Sequence, residues 1–169
     1  MKTKSNIMII RNATPDDLDE LYNIEKECFP PKEAAKKEEI KERLKTFPNH
    51  FWILEKDGKI ISFANGFVTN EKDLSDEMYE NASLHDENGD WQMIFGLNTL
   101  PEFRKNGYAS LLVGKIIETA KKENRLGVVL TCKKYLVDYY SKFSFADEGI
   151  SQSQHGGEVW NQMRLTFKK

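Results

Sequence analysis

The stretch Leu97-Asn98-Thr99-Leu100-Pro101-Glu102-Phe103-Arg104-Lys105-Asn106-Gly107-Tyr108-Ala109-Ser110 gathers the residue types most able to do chemistry. It runs from an apolar segment, through a basic loop, into a strongly amphipathic one. The first turn of a helix leaves N–H groups without intrahelical acceptors and carries the positive end of the dipole. A strand, a loop holding Arg104 and Lys105, and then a helix start together outline an anion site. Gly107 lets the backbone approach a ligand closely, and Ala109 keeps the next turn small. A pyrophosphate suits such a site. The alternative is an ordinary solvated turn in which Gly107 serves conformation alone. Placement between a strand and the longest amphipathic helix favours the anion site.

The elements that must position this stretch follow from periodicity. Ile7 to Ile10 predicts a first strand. Thr14-Pro15-Asp16-Asp17 starts a helix, with Thr14 as cap, Pro15 in the first turn and the acids at the positive end of the dipole. Leu18, Leu21, Ile24 and Cys28 recur at helical spacing until Phe29-Pro30-Pro31 stops it. A second helix carries Ile40, Leu44 and Phe47 on one side. Phe51 to Glu55 and Ile60 to Thr69 predict strands joined by a hairpin at Asp57-Gly58. Glu71 to Asn81 reads as a short acidic helix, and His85 to Asp90 as a polar loop.

Met93 to Leu100 predicts one further strand, ended by Pro101. Gly107 to Glu123 is the best helix, with Ala109, Leu112, Val113, Ile116, Ile117 and Ala120 on one face. Val128 to Cys132 is a buried-type strand and Tyr135 to Phe143 a short helix. Another strand starts at Phe145, His155-Gly156-Gly157 makes a hairpin tip, and Val159 to Phe167 is the last strand. Strand–helix–strand passages call for parallel pairs, and hairpins for antiparallel ones. The expected class is α/β: a mixed, mostly antiparallel sheet of about six to seven strands flanked by about four helices.

A length of 169 residues fits one domain, 1–169. With 39% hydrophobic and 31% charged residues the chain is globular rather than disordered. Its 25 basic residues nearly balance 27 acidic ones, and a net charge of -2 argues against a dedicated nucleic-acid binder. The longest apolar run falls far short of the roughly 20 residues of a membrane helix. Met1 to Asn6 is polar and lacks the apolar core of a signal peptide. Cys28 and Cys132 lie far apart and read as free thiols in a reducing compartment; Cys132, after Val128-Val129-Leu130, reads as a small buried hydrophobe. His50, His85 and His155 have no metal-ligand spacing, so no metal site is expected. Together these features predict a cytoplasmic protein without nucleic-acid or membrane partners.

Arg104-Lys105-Asn106-Gly107-Tyr108-Ala109 resembles the acyl-CoA pyrophosphate loop of the GNAT superfamily of N-acetyltransferases (R/Q-x-x-G-x-G/A). The preceding Pro-x-x-Arg phrase, Pro101 to Arg104, matches too. So does Leu130-Thr131-Cys132 followed by Tyr139-Tyr140-Ser141-Lys142-Phe143-Ser144-Phe145, which resembles the family's Y-x-x-x-G-F phrase with Ser144 in place of glycine. The order of elements agrees from Ile9 to Phe167. Glu27-Cys28-Phe29, the acidic insert after Thr69 and the block from Thr131 to Phe145 resemble the arylalkylamine N-acetyltransferase branch most.

The resemblance implies acetyl-CoA as co-substrate and a primary amine of a small molecule as acceptor. Backbone groups of Leu97, Asn98 and Thr99 would hold the pantetheine arm like an added strand, and Lys105 to Ser110, with Arg104 beside them, the pyrophosphate. Tyr140 would protonate the leaving thiolate. The family's substrate pocket lies near the first helix end, where Glu25 and Glu27 are candidate bases and Phe29, Pro30 and Pro31 a candidate wall. His155 in its loop tip is a third candidate base. Tyr135 and Tyr139 read as core or rim. The arylalkylamine branch relays the amine proton through two histidines on the strand before the loop; Met93 and Phe95 stand there, and neither accepts a proton. A protein or peptide acceptor, or a non-catalytic acyl-CoA sensor, are the alternatives, in a monomer or homodimer.

Overall fold

A computed structural model of the chain describes residues 7–168; the polar stretch from Met1 to Asn6 lies outside the described residues. Strand β1 (Met8–Arg11) leads through a short helical turn at Pro15–Asp17 into α1 (Leu18–Cys28). The cap expected at Thr14 is reciprocal. The Asp17 N–H donates to the Thr14 carbonyl at 3.0 Å, and the Thr14 N–H donates to the Asp17 carboxylate at 2.8 Å. Helix α2 (Lys37–Thr46) buries Ile40, Arg43 and Leu44. Strands β2 (Phe51–Lys56) and β3 (Lys59–Asn65) form the expected hairpin, with Asp57 at φ 51° and Gly58 at φ 83°. Positive φ at both turn residues matches the twist of the flanking strands.

The remaining elements are β4 (Val68–Thr69), α3 (Asp76–Glu80), β5 (Trp91–Ile94), β6 (Gly96–Thr99), α4 (Tyr108–Lys122), β7 (Gly127–Cys132), α5 (Val137–Ser141), β8 (Ala146–Ile150) and β9 (Asn161–Thr166). They build two sheets rather than one. The first has the order β1-β2-β3-β6 and is antiparallel throughout. The second has the order β4-β5-β7-β9-β8, with β5 and β7 parallel and the other pairs antiparallel. The fold is thus α/β with mostly antiparallel pairing, as expected, with more strands and one more α-helix than expected.

The extra strands have a physical cause. Both long apolar runs break in the middle, Ile60–Thr69 after Asn65 and Met93–Leu100 at Phe95. The breaks lie side by side, because the Met93 N–H donates to the Phe67 carbonyl at 2.8 Å and the Phe95 N–H to the Asn65 carbonyl at 2.7 Å. A Cβ at Gly66 would collide with the Met93 carbonyl, so only glycine lets the two backbones cross this closely.

Strand alternation, shifted by one residue in β3 where its register with β2 slips between Leu54 and Glu55, feeds two cores, one on each face of the sheets. Phe51, Ile53, Ile60, Phe63 and Val129 pack with Leu21, Ile24, Ile40 and Leu44 of α1 and α2. Trp52, Leu54, Ile61, Val128 and Leu130 pack with Leu112, Val113 and Ile116 of α4. Leu112 is fully buried, and truncating such a leucine to alanine costs about 2–5 kcal/mol. No helix among the described residues is long and apolar enough to cross a membrane.

Candidate active site

Strand β6 pairs with β3 on one side only, and β7 belongs to the other sheet, so the sheets part beyond Phe95. The parting opens a cavity of about 730 Å³, within the usual range for small-molecule sites. Phe95, Gly96, Leu97 and Thr99 line one wall, and Leu130 to Lys133 the other.

The first end of the cavity is made of backbone. Lys105 sits at φ 65° and Gly107 at φ 80°, which turns the loop into a concave approach to α4. No side chain caps α4. Among the described residues no acceptor takes the N–H groups of Gly107 through Ser110. The Asn106 amide braces the loop by donating to the carbonyls of Phe103 and Arg104, both at 3.1 Å. The Arg104 Nε donates to the Thr99 carbonyl at 3.0 Å, which ties the loop back to β6. Unpaired donors at a helix start, flanked by exposed Lys105, fit the pyrophosphate of a coenzyme A thioester.

Tyr140 lines the same cavity from α5 and is 6% exposed. Its ring meets Tyr139 and Phe145 edge-on, while its hydroxyl has no partner among the described residues. Burial, aided by Cys132 and Tyr139, pushes this phenol well above its usual range, so it keeps its proton at neutral pH. Tyr139 and Ser110 share a hydrogen bond of 2.9 Å that ties α5 to the first turn of α4. Both cysteines are free. Burial pushes the Cys132 thiol up to about 11 and raises Cys28 also, which makes poor nucleophiles of both.

Side chains from distant segments build the second end. Buried Glu25 accepts from the Ala35 N–H at 2.9 Å and from the Asn98 amide at 2.7 Å. Glu33 pairs with Lys133 at 3.0 Å. Tyr79 shares a hydrogen bond of 3.0 Å with the Thr131 hydroxyl. Burial pushes its phenol up to about 12, against the pull of that bond and of Arg43. The His155 ring stacks on Tyr79 at 4.6 Å between centroids. Its Nε2 donates to the Glu33 carbonyl at 2.7 Å, which fixes the tautomer and leaves the lone pair of the neutral ring on Nδ1. Trp160 holds the loop in place by donating to the His155 carbonyl at 2.8 Å.

Not every expected position lines the cavity. Glu27 and Pro31 are exposed and outside the cavity; Glu25 and Pro30 line it with Phe29. Two residues along a helix are about 200° apart, so a face that turns Glu25 inward turns Glu27 to solvent. Asn98 and Asn106 do not line the cavity. Asn98 is 1% exposed, and its Oδ1 is buried without a partner. His155 is no free loop tip but part of the wall. Arg43, Tyr79 and Glu33 were not singled out by the sequence, for no spacing links residues on α2, α3 and a loop.

The expectation about histidines also changes. His50, His85 and Glu87 bring one ligand atom each within 4.8 Å of one another, a proximity that linear spacing hid. Their protons argue against a metal centre. The Val68 N–H donates to His85 Nδ1 at 3.1 Å, so Nε2 carries the proton and directs it to Glu87 at 3.3 Å. Glu87 is also held by the Arg125 guanidinium at 2.9 Å.

Residues 18–145 match the acetyltransferase (GNAT) family. The chain belongs to this family. It is 23% identical over 130 residues to the probable hydrolase YhcX of Bacillus subtilis (strain 168), a match covering 73% of this chain and 25% of that protein. The chain therefore spans about a quarter of that relative's length. The loading GNATL domain of CurA from Lyngbya majuscula superposes with a TM-score of 0.86 at 17% identity, over 95% of this chain and 98% of that one. The GNAT-like decarboxylase GphF, solved with isobutyryl-CoA, gives 0.77 at 21% identity, over 95% of this chain and 100% of that one.

Two departures, one from the expected GNAT phrase and one from the expected arylalkylamine branch, have visible consequences. Ser144, in place of the phrase's glycine, still adopts φ 74°, the left-handed conformation that glycine tolerates best. Met93, at the first relay position, is fully buried, and Phe95, at the second, forms cavity wall. Neither Met93, on β5, nor Phe95, at the break that follows it, offers this GNAT chain a proton acceptor.

Proposed function

We propose that the chain is an N-acetyltransferase moving the acetyl group of acetyl-CoA to the primary amine of a small molecule by direct attack. One cavity joining an uncapped helix start, the unpaired edge of β6 and a buried polar end supports this reading above all. The edge from Leu97 to Thr99 holds the pantetheine arm, and Lys105 to Ser110 the pyrophosphate. A backbone N–H of β6 polarises the thioester carbonyl. The amine nitrogen attacks the carbonyl carbon, an N–C bond forms and the C–S bond breaks. His155 Nδ1 takes the amine proton, and the Tyr140 phenol protonates the departing thiolate. His155 thus replaces the strand histidines of the arylalkylamine branch, and the acceptor need not be aromatic. Residues 1–169 act as a single domain, monomeric or homodimeric, in the cytoplasm, which the two free thiols support.

The test follows coenzyme A release with a panel of aryl-, poly- and amino-sugar-type amines. Release that depends on one amine class, and falls in His155→Ala with coenzyme A affinity unchanged, supports the transferase. Amine-independent silence with tight cofactor binding would instead favour a peptide acceptor or a sensor.

The absence of a proton acceptor at Met93 and Phe95 favours one second reading. Loss of carbon dioxide from a β-carboxylated acyl-CoA needs a carbonyl-polarising donor and a proton source for the resulting enolate, but no amine base. GphF, a GNAT-like decarboxylase, has this fold over 95% of the chain. Carbon dioxide release from such a thioester without any amine would decide for it.

A further inference from the structure

Three arginines are buried in the described part of the chain: Arg43, Arg125 and Arg164, each at 5–6% exposure. Two of them face carboxylates. Arg125 pairs with Glu87 and Glu123 at 2.9 and 3.3 Å. Arg164 pairs with Asp73 and Glu148 at 2.7 and 3.0 Å. Arg43 is different. It donates to the Asn65 Oδ1 at 3.1 Å and the Tyr79 carbonyl at 2.8 Å, and it lies over the Phe95 ring at 4.9 Å. All three partners are neutral. Glu25 and Glu39 act on it only through space. Glu39 stands one turn earlier on α2, at the spacing that suits an ion pair, yet its carboxylate accepts from the Lys36 N–H at 2.8 Å.

A buried guanidinium with no carboxylate in hydrogen-bond reach is costly, even with Glu25 and Glu39 acting through space. Burial accordingly lowers the Arg43 pKa from its usual range. The other two arginines are spared this by fixed carboxylates. Arg43 lines the large cavity instead, beside Tyr79 and Phe95. We propose that Arg43 is a carboxylate subsite, so that the small molecule handled in this cavity carries a carboxylate that completes the ion pair. The inference rests on the acyl-CoA reading of the cavity and adds the substrate class. Two carriers fit the same chemistry: an acceptor amine with a carboxylate, or an acyl group ending in one.

Titration calorimetry on the intact chain separates them. The first arm uses coenzyme A-loaded protein with ω-amino carboxylates of increasing length and their neutral amides. The second uses dicarboxylic acyl-CoAs of increasing length and their monocarboxylic counterparts. In one arm the charged member should bind about 10- to 100-fold more tightly than its neutral partner, the range of a charge-assisted hydrogen bond. Arg43→Gln should abolish this preference without changing coenzyme A affinity, and Arg43→Lys should keep part of it. A merely structural Arg43 would lower thermal stability in the variants and leave the preference alone. Equal binding of charged and neutral members at every length in both arms of the wild type would overturn the proposal, whether or not Arg43→Gln folds. Retention of the preference in Arg43→Gln would overturn it too. Failure of coenzyme A itself to bind is a separate result; it sinks the cofactor reading, and the amino carboxylates titrated against the unloaded protein still test Arg43.

Discussion

The two ends of the cavity are built on opposite principles. The end at Gly107 to Ser110 is contiguous in sequence and made of backbone N–H groups that meet no acceptor among the described residues. The end at Arg43, Tyr79 and His155 is gathered from α2, α3 and a loop after β8, and its side chains are pinned by partners far along the chain. Backbone donors recognise a phosphate wherever the helix starts correctly, so a short motif suffices. Side-chain recognition needs several elements to arrive at once, so no short motif carries it.

Tyr140 stands where a test of this contrast has the largest effect. In the proposed mechanism it serves the chemistry and neither binding end. Tyr140→Phe removes one hydroxyl that has no partner among the described residues, so stability should change little. Turnover should fall about 10²- to 10⁴-fold, the range of a general acid, while coenzyme A affinity stays within about twofold, far below that loss. Steady-state kinetics beside calorimetry measures both. A variant with undiminished turnover would remove Tyr140 from the mechanism and make it a packing aromatic held by Tyr139 and Phe145.

What could be read from the chain follows the same divide. The α4 pattern from Ala109 to Ala120 and the Asp57-Gly58 hairpin depend on neighbours a few residues apart, and both appear where expected. The split of the sheet does not. It depends on Gly66 meeting the Met93 carbonyl, a contact across 27 residues that periodicity cannot contain. Arg43 reads as the polar face of an amphipathic helix until Asn65, Tyr79 and Phe95 close around it. His155, the proposed base, illustrates the same limit. Its type was legible, but its tautomer is set by the Glu33 carbonyl, 122 residues away.

A middle-sized effect is expected at the backbone end. Lys105 is exposed and adds only charge beside the N–H groups. Lys105→Gln should weaken coenzyme A binding by roughly 3- to 10-fold, and the loss should shrink as salt rises, because exposed charges are screened. The turnover number at saturating cofactor should not change. A hundredfold loss would mean that side-chain charge, rather than the helix start, does the holding, and the contrast between the two ends would fail.

The smallest effect concerns a polar cluster that resembles a site yet lies outside the cavity. Burial, and then His50 beside it, lower the His85 pKa below its usual value, with Glu87 opposing. The folded chain therefore binds a proton at His85 less readily than the unfolded chain does. Stability from this group is complete above the unfolded pKa of about 6.5 and declines as pH falls through it towards the lower folded value. One proton sets the slope at about 1.4 kcal/mol per pH unit at most. Glu87, also lowered although burial opposes it, contributes in the same direction only below the usual carboxylate range, near pH 4.5. Thermal melts between pH 7 and 5 should thus show a decline that His85→Gln flattens, since its amide oxygen can still accept from the Val68 N–H. KM and turnover should be the same in both proteins at pH 7. If His85→Gln instead abolished turnover and left the melting profile alone, this cluster would belong to the chemistry, and the division of the molecule into two functional ends would have to admit a third.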